Sequence, residues 1–455
     1  MRIIPPNAFK IEIDKDFTTG YSARLKKQIE DIISWNIPHL AKWYPIPGRT
    51  IIITDADSGD SIKIKGAGFY NPSNVSFSGL KRTLTVVPES DLPMPPLQVA
   101  FKRDIVHIDP CNLSPYQMQS IHSHNAPVGG MLHEGAINDQ AIFAGLQNSN
   151  LPSNKPLATY KYLDLFLNGE QMGVSVAALP KGALNITPYD ICIAWYNPNN
   201  FNERSLNFLK SYCTNGGFDL NKPGDRLNVI AGLAKKAGGL ILDFSLSAEL
   251  YRFSGSPDNW NIKDDTNEPL YFSDVDTCKK LHEINDEQQV WEVLRNLITA
   301  IHQWIYYFIP SLSYYESGYD LADLKKNDFV INLIRGFFHA SDENEIEEAS
   351  LKIWNFLQPV FDDVKKGANI PLRSGEHFLQ NYYPRPAFYL LVLNALKKLI
   401  SESALKNKFT KTDISVSGIE SYIECSAADF SHSLYYANYC PKEVYKNINL
   451  EFRSV

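Results

Sequence analysis

The chain has 455 residues, which at roughly 150 residues per domain allows about three domains, or two lobes and an appendage. A hydrophobic fraction of 44% with 24 Phe, 24 Tyr and 7 Trp supplies ample buryable area and excludes a generally disordered chain. The net charge of −7 shows no excess of cations, so neither nucleic acid nor an anionic membrane is expected as a partner.

Cys111, Cys192, Cys213, Cys278, Cys425 and Cys440 are scattered without a C-x-x-C pair. That argues against a zinc ribbon or a disulfide scaffold and for buried reduced thiols. The N-terminus MRIIPPNAFKIEI lacks the continuous apolar run of a secretory signal. The apolar run Ala387 to Leu393 is about a third of a membrane span. A cytoplasmic protein is the expectation, and delivery into another cell by a signal-less route is compatible with it.

Residues 1–48 read as an N-terminal extension. From 49 to 180 short apolar runs are punctuated by Gly, Pro, Asn and Asp, the texture of strands and turns. Arg49–Thr54, the turn 55–60 and Ser61–Lys65 read as a hairpin in which Ile62 and Ile64 alternate with Lys63 and Lys65. A long insert follows, with Pro-rich residues 88–96. In 130–146, Leu132, Ala136, Ala141, Ile142 and Leu146 partly fit one helical face. Tyr160–Leu167, Asn168-Gly169 and Met172–Leu179 read as a second hairpin, since Asn-Gly suits a two-residue turn.

Residues 178–182 are the expected connector. Beyond it the pattern turns helical, first from Asp225 as a cap. Val290, Leu294, Leu297, Ile298, Ile301 and Ile305 then give a 3.6-residue period within 283–309. Further helices are expected near 321–339, 343–365 and 386–404. The expected organisation is α+β: an extension over 1–48, a strand-rich lobe over 49–180 and a helical lobe over 181–455. The aromatic-dense region from 283 onward reads as helical core or as a groove for a peptide.

Two constellations carry chemistry. Lys65 ends a strand and is followed by Gly66 and Gly68, so an ammonium can sit over bound phosphates beside accessible backbone. A hairpin running into a Gly-rich turn is the structural alternative. The second is Asp258-Asn259 in a loop entering a short strand, followed by an apolar strand ending in Asp274-x-Asp276. Asn and Asp oxygens are suitable Mg²⁺ ligands where the metal bridges nucleotide phosphates. A pair of Asx turns is the alternative here.

Taken in chain order, these parts resemble the protein-kinase-like superfamily, and most nearly the selenoprotein O family of pseudokinase-like protein adenylyltransferases. Ile62-Lys-Ile-Lys65-Gly-Ala-Gly68 is similar to that family's L-Q-L-K-G-A-G segment. Pro257-Asp-Asn-Trp-Asn-Ile262 is similar to its T-D-N-M-S-I loop, and Leu270-Tyr-Phe-Ser-Asp274 to its F-G-F-M-D strand. The resemblance implies a bilobal kinase-like fold that uses Mg-ATP to transfer AMP or phosphate to a protein or peptide. It implies that Lys65, with Gly66 and Gly68, contacts phosphates, that Asn259 and Asp274 bind Mg²⁺, and that Asp258 is the base. In such folds a helix acid positions the lysine. Glu134 is the first candidate, and Asp139, on a different helix face, is the second.

The chain departs from the kinase pattern at one telling place. Five residues before Asn259, where a kinase has its catalytic Asp, stands Ser254, and Arg252-Phe-Ser replaces H-R-D. A non-catalytic ATP-binding pseudokinase is therefore the competing expectation. His122, His124, His133 and Glu134 offer a weak metal-cluster pattern. Lys81, Arg82 and Arg103 in the insert read as surface charge or as contacts to phosphate or an acidic partner.

Overall fold

The computed structural model describes residues 10–16, 20–34, 50–67, 76–77, 80–84, 104–108, 115–119, 131–167, 170–184, 186–194, 203–217, 219, 222–284, 286–315, 328–365, 385–403 and 405. The protein is mixed α+β, strand-rich in its N-terminal part and mostly helical thereafter. It divides into two compact units. Unit 1 comprises Met1–Ala183 with Tyr271–Cys278, and unit 2 comprises Leu184–Leu270 with Lys279–Val455.

Unit 1 is built on a five-stranded antiparallel sheet. Its strands are β1 (Ile11–Asp16), β2 (Thr50–Thr54), β3 (Ser61–Lys65), β8 (Lys155–Leu167) and β9 (Glu170–Ala178), in the order β1-β8-β9-β3-β2. Both expected hairpins are present. Thr54 pairs Ser61 across the 55–60 turn, and Leu167 pairs Glu170 across Asn168-Gly169. The first turn is held by Asp55, whose carboxylate accepts hydrogen bonds from the Asp57 and Ser58 amides and the Ser58 hydroxyl.

The alternation on β3 separates two faces of this sheet. Ile62 and Ile64 join Val174, Val176, Tyr160 and Tyr162 in an apolar core. That core is closed by Leu25, Ile29, Ile32 and Ile33 of α1 (Ala23–Ile33). Strand β1 and helix α1 both fall within the stretch read as an extension, and they belong to the sheet and core of unit 1. The insert carries a second antiparallel sheet of β4 (Ser76–Phe77), β5 (Leu80–Leu84), β6 (Asp104–Ile108) and β7 (Pro115–Gln119).

The opposite face of the main sheet packs against α2 (His133–Asn148). Glycines allow this approach. Gly66 has φ +102°, and a Cβ there would stand 2.6 Å from the Gly173 carbonyl oxygen. A Cβ on Gly173 would stand 2.6 Å from the His133 Cα.

Unit 2 holds α3 (Pro188–Ala194), α4 (Glu203–Gly216), α5 (Pro223–Leu246), the short strands β10 (Leu250–Tyr251) and β11 (Trp260–Ile262), and α6 (Asp286–Tyr315). Strand β12 (Leu270–Phe272) carries the chain into unit 1, and β13 (Lys279–Lys280) pairs with β10. Helices α7 (Phe329–Phe337), α8 (Glu343–Lys365) and α9 (Arg385–Glu402) follow. Helix α5 starts at Pro223 after Lys222, so Asp225 lies in its first turn, where it accepts from the Asp219 amide, rather than capping it. Among the described residues no helix is long and apolar enough to cross a membrane.

Helices α5 and α7 meet backbone to backbone. A Cβ on Gly238 would fall on the Leu333 carbonyl oxygen, and one on Gly336 on the Lys235 carbonyl oxygen. Gly239, one residue on, has only the Gly336 carbonyl oxygen at 3.7 Å. Gly238→Ala is therefore expected to lower stability by about 1–3 kcal/mol through overpacking. Gly239→Ala is expected to be neutral or to gain up to ~1 kcal/mol of helix propensity. Chemical denaturation of the two variants checks this contrast.

Candidate functional site

Lys65 ends β3 on the face away from the apolar core, and only 3% of it is exposed. A buried ammonium is costly without anionic partners, and unit 1 supplies three. The Lys65 Nζ lies 2.6 Å from Asp274 Oδ1, 3.3 Å from Asp276 Oδ2 and 3.6 Å from Asp139 Oδ1. Asp274 and Asp276 follow β12, and Asp139 comes from the second turn of α2. Lysine strand, helix acid and D-x-D segment thus converge.

The helix acid is Asp139 and not Glu134. Glu134 sits in the first turn of α2 and is exposed, whereas Asp139, five residues on, is buried beneath the helix. Burial raises the Asp139 pKa, with Asp276 adding to it and Lys65 and the Ser175 hydroxyl opposing it. Three carboxylates around one ammonium leave an excess of negative charge, and Asp139 is the most deeply buried of the three.

Three consecutive residues of α2 grip three different parts of unit 1. Asn138 Nδ2 donates to the Asp276 and Cys278 carbonyls at 3.0 and 2.9 Å. Asp139 faces Lys65 and accepts from Ser175 Oγ at 2.6 Å. Gln140 Nε2 donates to Ser175 Oγ and to the Val176 carbonyl. Register explains why Ser175 is there: it stands opposite Lys65 on β3 and opposite Thr159 on β8, so all three lie in one polar row on one sheet face. Sequence reasoning missed Ser175, Asn138 and Gln140. A serine between valines on a strand reads as solvent-facing, and only the register with Lys65 marks it.

The D-x-D segment is anchored elsewhere too. Lys63, two residues before Lys65 on the same face, donates to the Ser273 carbonyl at 2.6 Å. Phe272 bonds through its backbone to Pro152 and Asn154. Cys278 is buried and outside any disulfide, and burial pushes its thiol pKa well up, with the neighbouring Asp276, Asp274 and Asp139 adding to it, so it stays protonated.

The other expected residues fall as follows. Gly66 has the packing reason for being glycine described above, beside its expected phosphate role; Gly68 lies outside the described residues. In unit 2, Asp258 accepts hydrogen bonds from the Tyr307 hydroxyl at 2.5 Å and from the Ser256 hydroxyl. Asn259 Nδ2 donates to Ser254 Oγ at 2.7 Å, so the serine at the place of the kinase aspartate holds the amide. This turn is pinned by Gly255, at φ +61°, whose carbonyl accepts from the indole nitrogens of Trp260 and Trp304. A Cβ there would stand 2.8 Å from the Ala300 Cβ.

Among the described residues no group of three or more His, Cys, Asp or Glu is arranged to hold a metal. His122, His124 and Arg103 lie outside them, and His133 stands 3.6 Å from Asp14. As a single oxygen ligand, however, Asp274 is suited to a hard cation. Its side chain is 35% exposed, and an anion arriving at Lys65 would compete for the ammonium it now binds. No family model and no curated protein matches the chain.

Two predictions follow from buried carboxylates. Ser175→Ala removes the donor to Asp139 Oδ2 and the acceptor of Gln140, and a loss of about 1–3 kcal/mol in chemical denaturation is expected. Asp328 caps α7, accepting from the Val330 and Ile331 amides and from Trp354 Nε1 at 2.7 Å, and burial pushes its pKa up to about 7. Because the folded state binds this proton more tightly, its contribution to stability falls as pH rises from the ordinary carboxylate range to about 7, then levels off. Asp328→Asn keeps an acceptor and is expected to flatten that part of the stability profile, measured as midpoint against pH.

Proposed function

We propose that unit 1 carries a polyphosphate site in which Lys65 binds the phosphates of ATP and Asp274 holds Mg²⁺, and that the protein is an atypical kinase-like transferase. The observation that carries the reading is the convergence of Lys65, Asp139, Asp274 and Asp276. A lysine buried at the end of a strand, faced by a helix acid and a D-x-D segment, is the arrangement from which a nucleotide-dependent transferase works. In this reading the two units are the lobes of a protein-kinase-like fold, and the thin likeness to the selenoprotein O family supports AMP transfer as one outcome.

Mg²⁺ would neutralise phosphate charge and polarise the phosphate undergoing attack. Lys65 exchanges its ion pair with Asp274 for phosphate oxygens, while Asp139, braced by Ser175, keeps the ammonium in place. On the family resemblance alone, Asp258 is the proposed base and Asn259 a proposed oxygen ligand, both carried by unit 2. A hydroxyl of a protein or peptide attacks the α-phosphorus with loss of pyrophosphate, or the γ-phosphorus with loss of ADP, and its proton passes to the base.

One observation favours a second reading, a pseudokinase that binds ATP without turnover. Asp258 is engaged by Tyr307 and Ser256, and Ser254 stands where a kinase has its base. In that case unit 1 binds nucleotide as a scaffold or allosteric partner.

Calorimetric titration with Mg-ATP tests the site. Lys65→Met and Asp274→Ala are each expected to weaken binding about ten- to a hundredfold, the worth of a charge-assisted contact. Binding unchanged in both variants overturns the assignment. ATP labelled at the α or γ phosphate then separates the outcomes. Label retained from α means AMP transfer, label from γ means phosphorylation, and binding without retained label favours the pseudokinase.

A further inference from the structure

The lysine and the D-x-D segment are far apart in the chain, and their relative placement has to be set by something other than the ion pairs themselves. An ion pair exchanges most readily for ligand at its exposed partner, and Asp274, with 35% of its side chain exposed, is the most exposed of the three acids. The Lys65 side is fixed by pairing of β3 with β2 and β9. The D-x-D side past Asp274 has a different anchor. Asn138, on α2, gives one hydrogen to the Asp276 carbonyl and the other to the Cys278 carbonyl, at 3.0 and 2.9 Å. Two carbonyl acceptors require the amide nitrogen there and exclude the amide oxygen, so the side chain has one orientation. A primary amide on a short stem supplies both hydrogens from one atom.

We infer that Asn138 is a positioning residue of this site, setting the backbone of the Asp274–Cys278 segment so that Asp274 meets the metal of a bound metal–polyphosphate. The inference rests on the polyphosphate reading of unit 1. Asn138 touches neither carboxylate through its side-chain amide and acts through two backbone carbonyls. Its neighbours on the same turn serve the other side, with Asp139 on Lys65 and Gln140 on Ser175. Past Asp274 the metal side of the site is held by Asn138, with Lys63 on the Ser273 carbonyl before it, whereas the lysine side depends on Asp139 and the sheet. One turn of α2 ties both together, so a shift of that helix would move them as a unit.

This division gives Asn138 a signature that a merely structural residue lacks. Asn138→Ala is expected to lower ATP affinity about tenfold in Mg²⁺, the lower end of what loss of an outer partner of a metal ligand costs. In excess chelator, where Lys65 alone meets the phosphates, its affinity for ATP is expected to equal that of the wild type. Asn138→Asp keeps the shape but turns a carboxylate toward two carbonyls, and a larger loss in Mg²⁺ is expected. Lys65→Met is expected to lose affinity in both conditions.

Calorimetry with ATP, with Mg²⁺ or with chelator, on these variants and on the wild type reads all of this, with thermal melting to establish that each is folded. If Asn138→Asp fails to fold, Asn138→Ala carries the test. Equal losses with and without Mg²⁺ in Asn138→Ala, or no loss in either, overturn the inference while Lys65→Met still loses binding. If Lys65→Met and Asp274→Ala both bind as the wild type, the polyphosphate reading fails and this inference falls with it.

Discussion

One buried ammonium organises unit 1. Lys65 is carried on a strand and 3% exposed, a position in which a cation is tolerated only when anions surround it. Asp139, Asp274 and Asp276 meet that need from a helix and from a segment far along the chain. The surrounding polar features follow from it. Ser175 and Gln140 brace Asp139, Asn138 and Lys63 hold the D-x-D backbone, and Gly66 and Gly173 let the start of α2 approach the sheet.

The sheet's two faces show how one alternating strand serves both stability and a site. Ile62 and Ile64 enter a core closed by α1, and Lys63 and Lys65 face the polar side. Since the side-chain period of a strand is two, a register slip of one residue would turn the lysines into the apolar core and the isoleucines toward the polar row. The register of the Ser61–Lys65 hairpin is thus part of the site as well as of the fold. The apolar face closes the core, and the polar face gathers Lys65, Ser175 and Thr159 in one row.

Much of this was legible in the residues because local rules agreed with the fold. The 55–60 turn, the Asn-Gly of β8–β9, the β3 alternation and the period of α6 each carry their own signal. Lys65 and Asp274 stand out in the sequence through their motifs, and the structure brings their side chains together. The identity of the helix acid was not. Helix α2 rests on a polar sheet row, so Asp139 and Gln140 are buried while Ile137 is 41% exposed, which inverts the usual apolar stripe. Ser175 and Asn138 needed the register and the tertiary contact to be seen. The N-terminal β1 and α1 lie in the stretch that reads as an extension, although Leu25, Ile29 and Ile32 repeat at helical spacing.

The central claim is that Lys65 exchanges a carboxylate for a phosphate. A crystal structure of the protein with Mg²⁺ and a non-hydrolysable ATP analogue tests it most directly. The account predicts Lys65 Nζ in contact with phosphate oxygens, Asp274 turned from the ammonium to the metal, and Asp139 still paired with Lys65. An analogue bound elsewhere, with Lys65 still 2.6 Å from Asp274 Oδ1, would contradict it.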